Sequence, residues 1–297
     1  MKIVITGATS MIGLAIIRNA LKRNCEITCI VNPTSTRISS IPNNEKIHII
    51  KCDIADYNNL DIKPSENSEY FFNLAWPYSA GELRDNVEYQ LKNINYVIDA
   101  VKLCKKFGCK KFIGAGSQAE YGIKSESLSS TTAINPENAF GIAKYTSGKL
   151  ASILCKQYKI DFNWLRILSV YGPGDRKNSL INYVVDELKN GHSPELTKCE
   201  QTWDYLHCDD AADAFFAVAE HGVDGKIYPL GSGHGRKLSE YVNELQALIA
   251  PNVSLCYGKK SYYPSQPMYL VSQNEELTTD TGWQPLIKFS EGIKTII

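Results

Sequence analysis

The chain opens MKIVITGATSMIG, residues 1–13, and the reading of this stretch decides the fold. Ile3 to Ile5 is a short apolar run of β-branched residues ending in Thr6-Gly7, as a buried parallel strand requires. Gly7 and Gly13 bracket a turn, and Leu14-Ala15-Ile16-Ile17 continues a helical apolar pattern through Leu21. A strand, a glycine turn and a helix N-terminus together make an anion site. The first helical N–H groups, here around Met11 and Ile12, have no intrahelical partner, and the helix dipole favours negative charge beside them. Gly7 allows the tight turn, and Gly13 lets the helix pack close to the strand. The middle glycine of the G-x-x-G-x-x-G spacing is replaced by Ser10, whose hydroxyl either donates to a phosphate or crowds it. Such glycine pairs also occur in turns without a ligand; the N-terminal strand–turn–helix setting favours the dinucleotide reading.

Downstream, apolar runs alternate with helical patterns. Strands are expected at Glu26 to Val31, Ile47 to Ile50, Glu69 to Leu74, Lys110 to Gly114, Phe162 to Leu168 and Lys226 to Leu230. Helices are expected over 86–106, 140–158, 179–190 and 237–249. This spacing predicts an α/β fold, a Rossmann-type doubly wound parallel sheet. The pattern breaks up after Asp175. Residues 1–170 with about 205–230 are therefore assigned to the dinucleotide-binding domain, and 171–204 with 231–297 to a small C-terminal α/β substrate lobe over the carboxyl end of the sheet.

Individual positions follow from that frame. Sites that prefer NAD place an acidic residue at the end of the second strand, to hold the adenosine ribose. Here Asn32 stands there, followed by Thr34, Ser35 and Arg37, none of which repels a 2′-phosphate. NADP(H) is expected over NAD(H); a plain loop charge is the bland reading of Arg37. Asp53, before Ile54, either accepts from the adenine amino group or caps a helix. Leu74-Ala75-Trp76 at the end of the fourth strand should lie over the phosphates and ribose. Asn93 is a polar residue on an otherwise apolar helix face.

The 297 residues carry 43% hydrophobic and 22% charged side chains, with 32 basic and 32 acidic residues. A neutral balance argues against a general nucleic-acid binder and an electrostatic membrane anchor. No apolar run approaches the roughly 20 residues of a membrane span. The chain starts directly in a strand, so no signal peptide is expected. Nine cysteines are scattered without C-x-x-C or metal spacing, so buried, reduced thiols in a cytoplasmic protein are expected, and no metal site. Asp209 and Asp210 read as caps of an Ala-rich helix, and His207 as a packed or hydrogen-bonded side chain.

With these residues in view the chain resembles the extended short-chain dehydrogenase/reductase family of nucleotide-sugar epimerases, dehydratases and ketoreductases. The resemblance rests on Thr6-Gly7-Ala8-Thr9…Gly13, Asp53-Ile54, Asn73-Leu74-Ala75, Asn93, Ser117 with Tyr121-Gly122, Lys144, Arg166, Tyr171-Gly172-Pro173-Gly174-Asp175, Asp204-Tyr205…Asp209-Asp210-Ala211 and Trp283-x-Pro285. It implies a catalytic Ser/Thr with a Tyr-x-x-x-Lys pair. A phenol with pKa near ~10 is a poor acid at neutral pH. A lysine one helical turn away shares its face and favours the phenolate. By resemblance Ser117 and Lys144 fill two of the three roles.

The third place is Phe140, which has no proton to give. The nearby Tyr145-x-x-x-Lys149 is no substitute, because a five-residue slip turns the helix face by about 140° and moves it about 7.5 Å. Phe140 is read first as an engineered tyrosine-to-phenylalanine exchange, made inactive to hold substrate and cofactor together. The other readings are a natural member using water or Ser117 as donor, and a binding protein that has lost catalysis.

The resemblance is greatest to the branch that reduces the 4-keto group of nucleotide-linked 4-keto-6-deoxyhexoses. It assigns substrate contacts to Gln118, Tyr121, Ser169, Asn178, Trp203 and Arg236. Trp203 replaces the arginine that grips a diphosphate in many relatives, and Ser169 replaces an asparagine, so Arg176, Lys177 and Arg236 are the alternative sources of charge. An epimerase with tightly bound cofactor and a non-catalytic dinucleotide sensor are the alternatives. A homodimer through the 86–106 and 140–158 helices is expected from the family.

Overall fold

Seven parallel strands form the main sheet of the computed structural model, which describes residues 1–62, 68–263 and 265–297. In chain order the strands are β1 (Lys2–Thr6), β2 (Glu26–Val31), β3 (Ile47–Lys51), β4 (Tyr70–Asn73), β5 (Lys111–Ser117), β6 (Asp161–Ile167), β7 (Ser169–Tyr171), β8 (Thr202–Trp203), β9 (Tyr205–His207), β10 (Ile227–Leu230), β11 (Arg236–Lys237) and β12 (Tyr269–Leu270). The helices are α1 (Met11–Lys22), α2 (Val87–Lys106), α3 (Ala139–Tyr158), α4 (Leu180–Lys189), α5 (Cys208–His221), α6 (Leu238–Ile249), α7 (Glu275–Thr281) and α8 (Phe289–Gly292).

The main sheet runs β10-β6-β5-β4-β1-β2-β3, so the strand order reverses between β1 and β4. In such sheets the crevice outside the carboxyl ends at the reversal is where ligands bind. Its strands are apolar on both faces because each face is covered by helices, as parallel sheets require. On one side α1 and α5 pack with Ile3, Ile5, Phe72, Phe215 and Phe216. On the other, α2 and α3 cover Val4, Phe71, Phe112, Phe162 and Trp164. The four rings Phe71, Phe112, Phe162 and Trp164 stack successively across β4, β5 and β6. Trp164 explains two glycines: a Cβ on Gly114 would lie 2.2 Å from its ring, and one on Gly116 2.3 Å from its Nε1.

A second core, of Ile181, Val184, Leu188, Tyr241, Val242, Leu245 and Phe289, joins α4, α6 and α8 beyond the main sheet. A three-stranded sheet, β11-β8-β12, lies in the same part of the chain. Asp204 ties this region together. It is fully buried and accepts from Ser232 N (2.5 Å), Gly233 N (2.8 Å), Ser272 N (3.1 Å) and the Ser272 hydroxyl (2.7 Å).

One expected role is corrected. Asp209 and Asp210 do not cap α5; the helix begins at Cys208, and the His207 side chain accepts from Asp209 N. Asp209 instead pairs with Arg18 at 2.5 Å, while Asp210 accepts from Leu286 N and Ile287 N and so pins the C-terminal segment. His207 is buried, with Nε2 3.1 Å from the Thr295 hydroxyl, and burial lowers its pKa. Its ring, Cys208 and Asp209 lie close enough to share a cation, but Arg18 already sits on Asp209 and 3.6 Å from the Cys208 Sγ. All nine cysteines are free, and eight are buried.

Candidate active site

The turn between β1 and α1 is shaped by its glycines. Gly7 has φ +67°, and a Cβ there would lie 2.8 Å from both Ala75 N and the Leu74 carbonyl carbon. The turn therefore rests directly on the end of β4, with no room for a side chain between them. A Cβ on Gly13 would lie 2.5 Å from the Gly7 carbonyl oxygen. Ser10 caps α1, its hydroxyl accepting from Gly13 N at 3.0 Å. That leaves the Met11 and Ile12 N–H groups as the helix's unpaired first-turn donors. A bare backbone cradle at a helix N-terminus, facing the sheet's reversal point, fits a pyrophosphate.

The flanks supply the polar groups. Thr9 accepts from the Ser35 hydroxyl at 3.3 Å, which fixes the loop after β2 against the turn. Asn32 donates to Asp53 (3.0 Å), and Asp53 also accepts from Ala55 N, so it caps the short helical turn that starts at Ile54. Of the two readings of Asp53, the capping use is the one the structure shows. Arg37 donates to the Gly174 carbonyl at 2.6 Å. Together with Arg18, Arg176 and Lys177 it lines a cavity of about 490 Å³ that Leu14 and Pro173 also border. Asn93 is buried and donates to the Pro77 carbonyl (2.9 Å), while its amide oxygen has no partner.

The catalytic expectations converge at the ends of β4 and β5. Lys144 is buried on α3, and its Nζ donates to the Ala115 carbonyl at 2.7 Å, two residues before Ser117 on the same strand. The same Nζ stands 3.8 Å from the centre of the Trp76 ring. Phe140, one turn earlier, meets Trp76 edge-on at 5.9 Å between ring centres. Burial lowers the Lys144 pKa to about 7, against a smaller opposing pull from Glu120. Asn138 caps α3 by accepting from Gly141 N, and a Cβ on Gly141 would lie 2.4 Å from the Ala119 carbonyl oxygen. That close approach sets Phe140 and Lys144 against the Ser117 turn.

Ser117 is itself held by Glu120. Its hydroxyl accepts from Ala119 N, and its own N–H donates to Glu120 Oε1 at 2.9 Å. Glu120 also accepts from Trp164 Nε1 (2.9 Å) and Arg166 Nε (2.7 Å), all within the core. The sequence motif contained Glu120 and Arg166, but their pairing is a tertiary fact.

The substrate-side residues divide. Gln118 and Ser169 are partly exposed near the ends of β5 and β6, and Asn178 is exposed on the loop before α4. Tyr121 is a correction: it has no exposed surface, its hydroxyl donates to the Ser129 carbonyl, and its ring lies under Arg166. Trp203 donates its indole N–H to the Pro267 carbonyl. Arg236 is already paired with Glu240 and Glu244 and stacks on Tyr241, so its charge is neutralised away from a ligand. Arg84 was missed. Its guanidinium lies 4.6 Å from the centre of the Phe140 ring, and it sits in a turn whose sequence carries no motif.

Comparisons with known proteins identify the family and the fold. The model of the NAD dependent epimerase/dehydratase family matches residues 3–231. CDP-abequose synthase of Salmonella typhimurium is 27% identical over 162 residues, 52% of this chain and 54% of that protein, so the chain spans about half of that relative's length. dTDP-4-dehydro-6-deoxyglucose reductase of Escherichia coli is 22% identical over 307 residues, 99% of this chain and 96% of that one. Among solved structures, a tyrosine-to-phenylalanine variant of Bacillus cereus UDP-glucuronic acid 4-epimerase superposes with a TM-score of 0.85 at 22% identity, over 99% of this chain and 97% of that one. It holds UDP-4-deoxy-4-fluoro-glucuronic acid and NAD. Because the family model covers well over half of its length, the chain belongs to the NAD dependent epimerase/dehydratase family.

Proposed function

We propose that this chain binds NADP(H) and a nucleotide-linked 4-keto-6-deoxyhexose and directs reduction of the sugar's 4-keto group. The observation that carries the reading is the meeting of Trp76, Phe140, Lys144 and the Ser117 turn at the carboxyl ends of β4 and β5, beside the Gly7 cradle. The names of two relatives, a CDP-abequose synthase and a dTDP-4-dehydro-6-deoxyglucose reductase, support it. Gly7, Thr9, Ser10, Met11 and Ile12 would hold the pyrophosphate, and Leu74, Ala75, Trp76 and Asn93 the ribose beyond it. The absence of an acidic residue at Asn32 and the cations around Arg37 support NADP(H) over NAD(H).

A bound dihydronicotinamide supplies the hydride. Ser117 orients the ketone oxygen, and Lys144 places a positive charge close by below pH about 7. Phe140 fills the place of the phenol at the start of α3 but donates nothing. The substrate rests between these groups and the lobe of 171–204 and 231–297, with Gln118, Ser169 and Asn178 at its rim. Outward-facing Val87, Leu91, Ile142 and Ile153, on the packed pair α2 and α3, support a homodimer through these helices.

The test is a binding and turnover panel of CDP-, dTDP-, GDP- and UDP-4-keto-6-deoxyglucose with NADPH or NADH. Phe140→Tyr is run alongside. The expected result is similar ligand affinity in both proteins and a rate ~10²–10⁴-fold higher with Phe140→Tyr, the range of one general acid. Rates within tenfold of each other refute the assignment of position 140, and sequencing the native gene at codon 140 shows whether phenylalanine is original. The second reading, an epimerase, is supported by the UDP-glucuronic acid 4-epimerase neighbour. Net NADPH consumption separates the two.

A further inference from the structure

Arg84 is a cation beside Phe140 that no expectation assigned. It belongs to the turn Glu82–Asp85 leading into α2 and is partly buried; its backbone N–H donates to the Gly81 carbonyl, while its guanidinium makes no hydrogen bond or ion pair among the described residues. Its contact is the face of Phe140, at 4.6 Å. Burial, more than any charge, lowers its pKa; Arg176 from the loop before α4 adds to that and neighbouring Asp85 opposes it. A partly buried guanidinium held by no ion pair is only weakly compensated by Asp85, and a negative group arriving beside it would add to that compensation. Lys144 Nζ stands 5.8 Å from the same Phe140 ring, so two cationic side chains flank the position where relatives carry a phenol.

Resting on the 4-keto reduction read above, we propose that Arg84 replaces the missing phenol as the hydrogen-bond donor to the sugar oxygen that becomes negative. As the carbonyl carbon gains its C–H bond, the carbonyl π pair moves onto oxygen. The Arg84 N–H groups donate to that oxygen from the Phe140 side, with Ser117 on the other. Arginine does not act as the acid, since its guanidinium stays protonated. The alkoxide takes its proton from solvent water. Preorganised donors aimed at developing charge are worth roughly 10²–10³ in rate.

The experiment is a double-mutant cycle between Arg84→Met and Phe140→Tyr, read by single-turnover NADPH oxidation with the ketosugar and by calorimetric titration of the nucleotide sugar. The expected result is a loss of about 10²-fold for Arg84→Met in the Phe140 chain. In the Phe140→Tyr background the loss is at least tenfold smaller. Sugar-nucleotide affinity falls less than fivefold in every variant, which also reports folding, and Arg84→Lys recovers part of the rate. Equal losses in both backgrounds, or turnover seen only with Phe140→Tyr, overturn the role of Arg84 while the 4-keto reading stands. No NADPH oxidation in either background, with any sugar of the panel, overturns both.

Discussion

Replacing Glu120 with alanine tests the buried scaffold beneath Ser117. The carboxylate accepts from Ser117 N, Trp164 Nε1 and Arg166 Nε at 2.9, 2.9 and 2.7 Å. The Arg166 and Glu120 side chains are 3% and 1% exposed, so water does not replace the lost partner. Removing one member of a buried ion pair costs about 3–5 kcal/mol, because the other charge is left unpaired. For a chain of 297 residues, the unfolding entropy of about 2.1 cal/mol/K per residue comes to roughly 0.6 kcal/mol/K. Glu120→Ala should therefore lower Tm by about 5–8 °C in calorimetry. The second arm is Glu120→Ala with Arg166→Met, which removes both charges and should recover most of that loss. A single variant that melts within about 1 °C of the parent refutes the argument. So does a double variant whose loss equals or exceeds that of Glu120→Ala alone.

Further outcomes follow from the same geometry. Lys144 titrates near 7 in the folded chain and 10.5 when free, so its burial penalty is full below about pH 7 and gone above about 10.5. Lys144→Met should therefore raise the Tm of the ligand-free protein relative to the parent most at or below pH 7. The gap should narrow steadily towards pH 10; a pH-independent gap contradicts the shift. Gly7→Ala places a Cβ 2.8 Å from Leu74 and Ala75 at positive φ. Saturating NADPH should raise the parent's Tm by ~4 °C at 100 Kd and leave this variant's Tm unmoved. Arg37→Ala should weaken NADPH more than NADH in competition titrations; equal losses remove the 2′-phosphate assignment. Leu91→Glu with Ile153→Glu should turn a dimer into a monomer by sedimentation velocity, and an unchanged mass removes the α2–α3 interface.

Much of the fold was legible because its signals are local. Gly7, Gly13 and the apolar run between Lys2 and Thr6 act within one strand–turn–helix unit, and β2 lies at the span expected for it. The other main-sheet strands fall within three residues of their expected bounds, and α2, α3, α4 and α6 begin or end within one. Buried parallel strands and amphipathic helices write their burial into consecutive residues. The candidate site was legible in part, since Lys144 and Phe140 are four apart on one helix and share a face.

What the order of residues left open was every partner chosen across the fold. Tyr121 follows Glu120 in a motif read from the sequence as a substrate contact, yet its hydroxyl goes to Ser129 and its ring to Arg166. Asp209 and Asp210 look like a cap, but Arg18 and the 286–287 backbone claim them. Arg84 carries no local signal, and only the packing of its turn on α3 brings it to Phe140. Local periodicity is enough to choose strand or helix, because backbone geometry alone imposes it. A charge or hydroxyl finds its partner through contacts separated by tens of residues, and these exist only once the sheet and its helices have assembled.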